Sequence, residues 1–276
     1  MKIVFDKRCC EYIFYNHPES PERVLSIYEL LKENYEFKKP SSTSEKNILI
    51  VHTKRLLSVI KSGRFIDFDT PNNKEMIRYA LLSAGAAIEA CKLAVKGKDA
   101  FSLMRPPGHH AGKDFAGGFC YLNNIAIAIA TVAKNKKVAI IDIDGHWGNG
   151  TQDIFSGKQD IIYVSINQEG AYPGPHHNSE NCRNFYIKPG SNGKVYLKLF
   201  YKCIDIVKFF GPDIIGISAG FDTFKEDPLL NLMLDIEDYK KIAQKISSLN
   251  TPLFAVLEGG YSNKLPYCIQ SFLDGI

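Results

Sequence analysis

The stretch Lys137-Val-Ala-Ile-Ile-Asp142-Ile-Asp144-Gly-His146-Trp-Gly-Asn149-Gly150 decides the fold. Its first half, Lys137–Ile143, is rich in Val and Ile and shows no polar alternate face before Asp142. A strand apolar on both sides suits a parallel sheet covered above and below by helices. The second half crowds two carboxylates and an imidazole onto the end of that strand. If the strand persists, residues 142, 144 and 146 share one face, because side chains alternate. Such groups repel or stay poorly solvated unless a cation sits among them. Read alone, the run could also be a charged turn closing a strand.

Working outward, further strand-like runs fall at Lys2–Phe5, Ala100–Met104, Ile161–Ile166, Asp213–Ser218 and Leu253–Leu257. Helix-like stretches lie between them at Pro21–Tyr35, Lys74–Val95, Asn123–Ala133, Lys194–Phe210, Ile236–Leu249 and Lys264–Leu273. In the first of these Ser20 can cap, Pro21 is the first helical residue and Glu22 lies in the first turn. This alternation predicts one doubly wound α/β domain over residues 1–276, with no Pro/Gly/Ser linker. Gln168–Gly193, rich in Gly, Pro and Asn, reads as a long surface loop.

Ligands of open α/β sheets bind beyond the carboxyl ends of the strands. Four such ends carry polar groups: Arg105-Pro-Pro-Gly-His109-His110, the 142–150 run, Ala219-Gly220-Phe221-Asp222 and Glu258-Gly259-Gly260-Tyr261. Asp144 and His146 could supply two metal ligands and Asp222 a third, leaving positions open for substrate and water. Adjacent histidines in a loop are more often exposed or packed than catalytic, but the two prolines stiffen the backbone that presents them. Gly259-Gly260-Tyr261 reads as a turn before the last helix; beside a metal, the phenol could donate to an oxyanion.

Composition narrows the class. Of 276 residues 45% are hydrophobic and 23% charged, near the globular average. The formal charge of +4 is mild and no long basic block occurs, so no nucleic-acid groove is expected. Seven cysteines, an odd number with no C-x-x-C, argue against a disulfide framework or a cysteine zinc site. With no apolar leader in MKIVFDKRCC and no membrane-length apolar run, a cytoplasmic protein is expected.

Together these segments resemble the histone deacetylase family, which includes the acetylpolyamine amidohydrolases and acetoin-utilisation-type proteins. The resemblance runs from His17-Pro-Glu-Ser-Pro-Glu-Arg23 through Val51-His52-Thr53, RPPGHHA, GGFCYLNN, DIDGHWGNGTQDIF and AYPGP to SAGFDTFKEDPL and EGGY. It implies a three-layer α/β/α sandwich around a mainly parallel, roughly eight-stranded sheet of the arginase/deacetylase kind. It implies a zinc site, with iron as the other candidate, at Asp144, His146 and Asp222. His109 and His110 match the tandem histidines, with Asp142 and Asn149 behind them, and Tyr261 the oxyanion-stabilising tyrosine. Gly118, Phe119, Tyr172 and Leu229 match positions along an acyl-lysine tunnel. Arg23 would stand at its inner end and Asp69 at its rim. Asp142, Asp144, His146, Ser165 and Ile166 match a structural potassium or sodium site.

The implied reaction is hydrolysis of an N-acyl-lysine or a related acylated primary amine. His110 would carry the proton transfers and His109 an electrostatic role, because Asp142 favours a charged imidazole and the neutral Asn149 does not. Leu229 stands where one polyamine-selective branch carries glutamate, which tilts the expectation toward acyl-lysine over acetylpolyamine. Two readings of other classes compete: a binuclear arginase-like hydrolase, and a catalytically silent binder of acylated ligands. The pair His176-His177 reads as exposed loop, Cys120 as an inert thiol and Cys9-Cys10 as an unbridged pair.

Overall fold

Eight strands form one sheet in the order β2-β1-β3-β8-β7-β4-β5-β6, and every neighbouring pair is parallel. The computed structural model describes residues 1–276. The strands are β1 Lys2–Val4, β2 Phe37–Lys38, β3 Ala100–Ser102, β4 Val138–Asp142, β5 Ile161–Gln168, β6 Cys182–Ile187, β7 Ile214–Ala219 and β8 Leu253–Leu257. All residues of β4, β7 and β8 are buried, which is why their sequences lack a polar face. The helices are α1 Pro21–Leu31, α2 Glu45–Ile48, α3 Lys54–Ser62, α4 Met76–Val95, α5 Asn124–Val132, α6 Asn149–Phe155, α7 Gly193–Phe210, α8 Ile236–Ser247 and α9 Leu265–Leu273. One layer is built on α4 packed against α5; the other runs through α7, α8, α9 and α1. None of the helices is long and apolar enough to cross a membrane.

The structure departs from the sequence reading where local signals were weak. The sheet is wholly parallel. The stretch 168–193 is not one loop: it contains β6, an edge strand paired on one side only, whose half-exposed face breaks up its apolar pattern. Strand β2 is two residues long. Ser20 occupies the cap position of α1 without a side-chain capping bond, and α1 ends at Leu31. Helix α3 was hidden by its polarity, yet Thr53 caps it through Leu56 N–H at 3.1 Å and Gly63 closes it in the left-handed region at φ 71°.

A buried ion pair ties the amino-terminal segment to the sheet. Arg105, 0% exposed, directs all five of its N–H groups inward. Nε and Nη2 meet the two Glu19 oxygens at 2.7 and 2.9 Å, and the rest donate to the carbonyls of Cys9, Tyr12 and Glu19. The Tyr12 ring lies 3.8 Å from its guanidinium carbon. His52 does a similar job for the loop after His110. Its Nδ1 donates to the Gly112 carbonyl at 2.7 Å and its Nε2 accepts from Asn123 N–H at 3.0 Å. Both ring nitrogens are thus satisfied by the neutral imidazole, and burial holds the pKa down at about 4.

Two stability predictions follow from these groups. Glu19→Gln leaves Arg105 buried with its countercharge gone and should cost about 3–5 kcal/mol in denaturant unfolding; an unchanged midpoint would show the pair to be dispensable. His52 takes its proton near pH 4 when folded and near 6.5 when unfolded. Its stabilisation is therefore complete above about pH 6.5 and is lost as pH falls toward 4. Between pH 7 and 5 the unfolding free energy should fall by about 2 kcal/mol more in wild type than in His52→Asn, and parallel pH curves would refute the assignment.

Candidate active site

The carboxyl ends of β3, β4, β7 and β8 meet at one edge. There lie Asp142, Asp144, Asp222 and Glu258, all buried. Backbone N–H groups absorb much of the negative charge. Asp144 Oδ2 accepts from Gly259 N–H at 2.9 Å and its Oδ1 from His146 N–H at 2.9 Å. Asp222 Oδ1 accepts from Gly145 N–H at 2.8 Å. A Cβ on Gly259 would come within 2.6 Å of Asp144 Oδ2, so only glycine lets that backbone approach.

The remaining oxygens converge on one imidazole. His146 Nδ1 lies 2.6 Å from Asp222 Oδ2 and 3.1 Å from Asp144 Oδ1. One donor atom from each of these residues falls within 4.8 Å of the others, the one cluster of three such side chains in the chain. A single N–H cannot serve two carboxylates. Burial works against ionising either acid, yet His109 and His146 hold Asp144 well below the usual range. Burial and the charge of Asp144 push Asp222 up to about 7. Two carboxylate oxygens and one imidazole nitrogen so placed are a donor set that fits a divalent metal.

Beside this cluster the two histidine rings stand 4.0 Å apart with different partners. His109 Nδ1 faces Asp142 Oδ2 at 3.1 Å. Burial alone would lower its pKa, but Asp144 and Asp142 outweigh it and raise it to about 10. His110 Nδ1 meets the Asn149 carbonyl oxygen at 2.8 Å, which fixes the proton there and leaves Nε2 a free lone pair. Burial and the positive His109 push His110 well below 6.5. Asn149 opens α6 and Asp142 closes β4, so the partners come from the two halves of one short segment.

A cavity of about 740 Å³ opens above these groups. Gly118, Phe119, Tyr172, Leu229 and Tyr261 line it, with Asp69 at the exposed mouth. Gly118 and Phe119 are both left-handed, at φ 54° and 69°. Such a backbone is strained for phenylalanine, and Thr70 Oγ1 holds it by accepting Phe119 N–H at 3.0 Å. The Phe119 ring then meets Tyr261 edge-on, with centroids 5.6 Å apart.

Arg23 does not line the cavity. It lies behind Tyr261, its guanidinium 4.5 Å from the ring centroid, donating to the carbonyls of Gly260 and Glu258 at 2.7 Å each. Asp142 pairs in register with Ser165. The Ser165 hydroxyl sits between Asn184 Oδ1 at 2.8 Å and Asn167 Oδ1 at 3.0 Å. One proton cannot serve both, so this oxygen cluster beside Ile166 has the chemistry of a cation cradle. His176 is half-buried, stacked on Tyr186, while His177 is exposed. All seven cysteines are free, and burial drives the Cys120 thiol pKa well up.

Two carboxylates escaped the sequence reading. Glu258 accepts Gly108 and His109 N–H at 2.7 and 3.1 Å, so it sets the histidine loop. Asp227 accepts Tyr261 N–H at 2.7 Å. Glu258 stood in the quoted EGGY run and Asp227 in the SAGFDTFKEDPL run, but their partners are backbone groups that no motif spacing reveals.

Comparison with known proteins agrees with this architecture. Residues 17–276 match the histone deacetylase domain model. A protein named probable deacetylase from Archaeoglobus fulgidus is 35% identical over 284 residues, covering 91% of this chain and 79% of that one. The solved HDA15 HD domain superposes with a TM-score of 0.91 at 29% identity, over 99% of this chain and 87% of that one. An acetylpolyamine aminohydrolase from Burkholderia pseudomallei superposes at 0.92 with 25% identity, over 100% and 98%. With sequence likeness reaching from His17 to the last residue and the whole sheet shared, the chain belongs to the histone deacetylase domain family.

Proposed function

We propose that residues 1–276 form one catalytic domain that hydrolyses N-acyl amides of lysine side chains or related primary amines. The observation that carries this reading is the juxtaposition of the Asp144–His146–Asp222 donor set with His110, which lines the cavity and has its Nδ1 tied to Asn149 Oδ1. These three residues would hold Zn²⁺ or Fe²⁺, and the bound ion would polarise the acyl carbonyl and acidify water. The cradle of Asp142, Asp144, His146, Ser165 and Ile166 would take K⁺ or Na⁺.

The chain's own groups divide the remaining work. His110 accepts the proton of the attacking water at Nε2 and returns it to the leaving amine. His109, held charged by carboxylates, supplies positive potential beside the reacting carbon. Tyr261 donates its hydroxyl to the carbonyl oxygen as that oxygen gains charge. Phe119 and Tyr172 enclose the methylenes of a linear chain, and Leu229 adds no charge to the wall.

A second substrate reading, an acetylpolyamine, has its own support. The cavity wall holds no lysine or arginine, and Asp69 stands at the mouth, so a cationic tail meets no repulsion there. Relatives from Pseudomonas aeruginosa and Mycoplana ramosa carry the name acetylpolyamine amidohydrolase, each 37% identical over about two-thirds of this chain. Only one cluster of ligands is present, which favours this chemistry over a two-metal arginase-like reaction.

The experiment is chelation, add-back of Zn²⁺ or Fe²⁺, and assay against acetyl-lysine peptides, longer acyl-lysine peptides and acetylpolyamines. Activity should vanish on chelation and return with one metal equivalent per chain, and Tyr261→Phe should lower kcat by about 10²–10³. A need for two equivalents would favour the binuclear reading. Acyl-lysine binding without turnover, the same in wild type and His110→Ala, would make the protein a binder.

A further inference from the structure

Tyr261 is not secured by an element of secondary structure; it lies in the loop between β8 and α9. Its backbone N–H has one partner, Asp227 Oδ2 at 2.7 Å. The other oxygen of that carboxylate, Oδ1, accepts Leu229 N–H at 3.0 Å. Asp227 itself is 7% exposed and lies in the loop after β7, which also carries Asp222 and the cavity residues Leu229 and Leu230. One buried carboxylate therefore joins two loops, which also meet where Phe221 N–H donates to the Gly259 carbonyl at 3.1 Å.

Burying a carboxylate is costly, and an apolar residue at position 227 would avoid that cost. What no apolar residue supplies is two acceptor oxygens for two N–H donors arriving from different loops. Asparagine supplies only one, and its amide N–H₂ would face the other donor. The tyrosine ring is meanwhile held on one face by Arg23 and at one edge by Phe119. Arg23 also braces the loop through the Gly260 and Glu258 carbonyls, and the Asp227 bond is the one made by the Tyr261 backbone N–H itself.

We infer that Asp227 is a positioning residue that locks the Tyr261 hydroxyl and the Leu229–Leu230 wall into one rigid unit, so that the wall gripping the substrate chain also sets the reach of the oxyanion donor. This rests on the reading of Tyr261 as that donor. A shift of about 1 Å in such a group is enough to cost roughly a hundredfold in rate. Asp227 touches neither substrate nor metal ligand and acts through the tyrosine.

A double-mutant cycle tests it on the metal-loaded protein with an acetyl-lysine peptide. Asp227→Asn should lower kcat by about tenfold or more when Tyr261 is present, and by less than about twofold in the Tyr261→Phe background, where no hydroxyl remains to misplace. Metal content should stay at one equivalent in all four proteins. Equal factors in both backgrounds would show a general structural effect and overturn the inference. If Tyr261→Phe alone leaves kcat intact, the donor assignment fails, and the positioning role fails with it. Amide hydrogen exchange on the wild-type protein needs no variant to fold: the Tyr261 and Leu229 N–H groups should be protected with the same protection factor, and unequal factors would break the clamp even if Tyr261 proves to be the donor.

Discussion

Four desolvated carboxyl groups at one edge of an apolar sheet are the constraint around which this molecule is arranged. Asp142, Asp144, Asp222 and Glu258 are each 2% exposed or less. Carboxylates so placed are costly unless hydrogen-bonded and compensated. Their hydrogen bonds come mainly from backbone N–H groups of Gly108, His109, Asp144, Gly145, His146 and Gly259, with the Tyr163 hydroxyl on Asp142 and the Ser218 hydroxyl on Glu258. Backbone donors satisfy lone pairs without bringing formal charge. The positive charge is left to the imidazoles, His109 above all.

That division explains the glycines of the edge. Gly259 N–H reaches Asp144 because no side chain intervenes, and Cβ atoms on Gly220 or Gly259 would run into Asp144. The donors sit where strands end, since there the chain has N–H groups no longer claimed by the sheet ladder. A parallel sheet gathers those ends on one side, so loops far apart in sequence can share a few oxygens. The fold thus supplies the donors and the glycines supply the access.

Sequence disclosed the parts of this plan that have a local signature. The central strands were legible because β4, β7 and β8 are apolar on both faces, and Asp144, His146 and Asp222 because acids and histidine directly after such strands are costly without a purpose. β6 was not legible, because an edge strand with one half-exposed face mixes Arg183 and Asn184 with Phe185 and sits among Gly, Pro and Asn. Helix α6 was hidden because its Thr151 and Gln152 are polar yet buried. Thr151 N–H and Gln152 Nε2 donate to the carbonyls of His109 and His177, pairings that no periodicity records. Arg23 was expected at the inner end of the tunnel. Its guanidinium lies behind Tyr261 and braces that loop through the carbonyls of Gly260 and Glu258.

The same compensation separates two chemically identical side chains. His109 and His110 are consecutive, both buried, and their rings nearly touch. Were each backed by a carboxylate, the second imidazole would be drawn toward its proton, and only the charge of the first would oppose it. Were each backed by an amide, burial would leave both neutral and the carboxylates behind the site short of countercharge. The chain places Asp142 behind one and Asn149 behind the other, so one imidazole neutralises the edge and the other keeps its lone pair. The charged ring then acts on its neighbour, since a positive His109 at 4.0 Å disfavours a second proton on His110. The group that settles the electrostatics of the edge thereby also keeps the proposed base unprotonated, and the proposed split of roles needs no further device than the six residues of chain between Asp142 and Asn149.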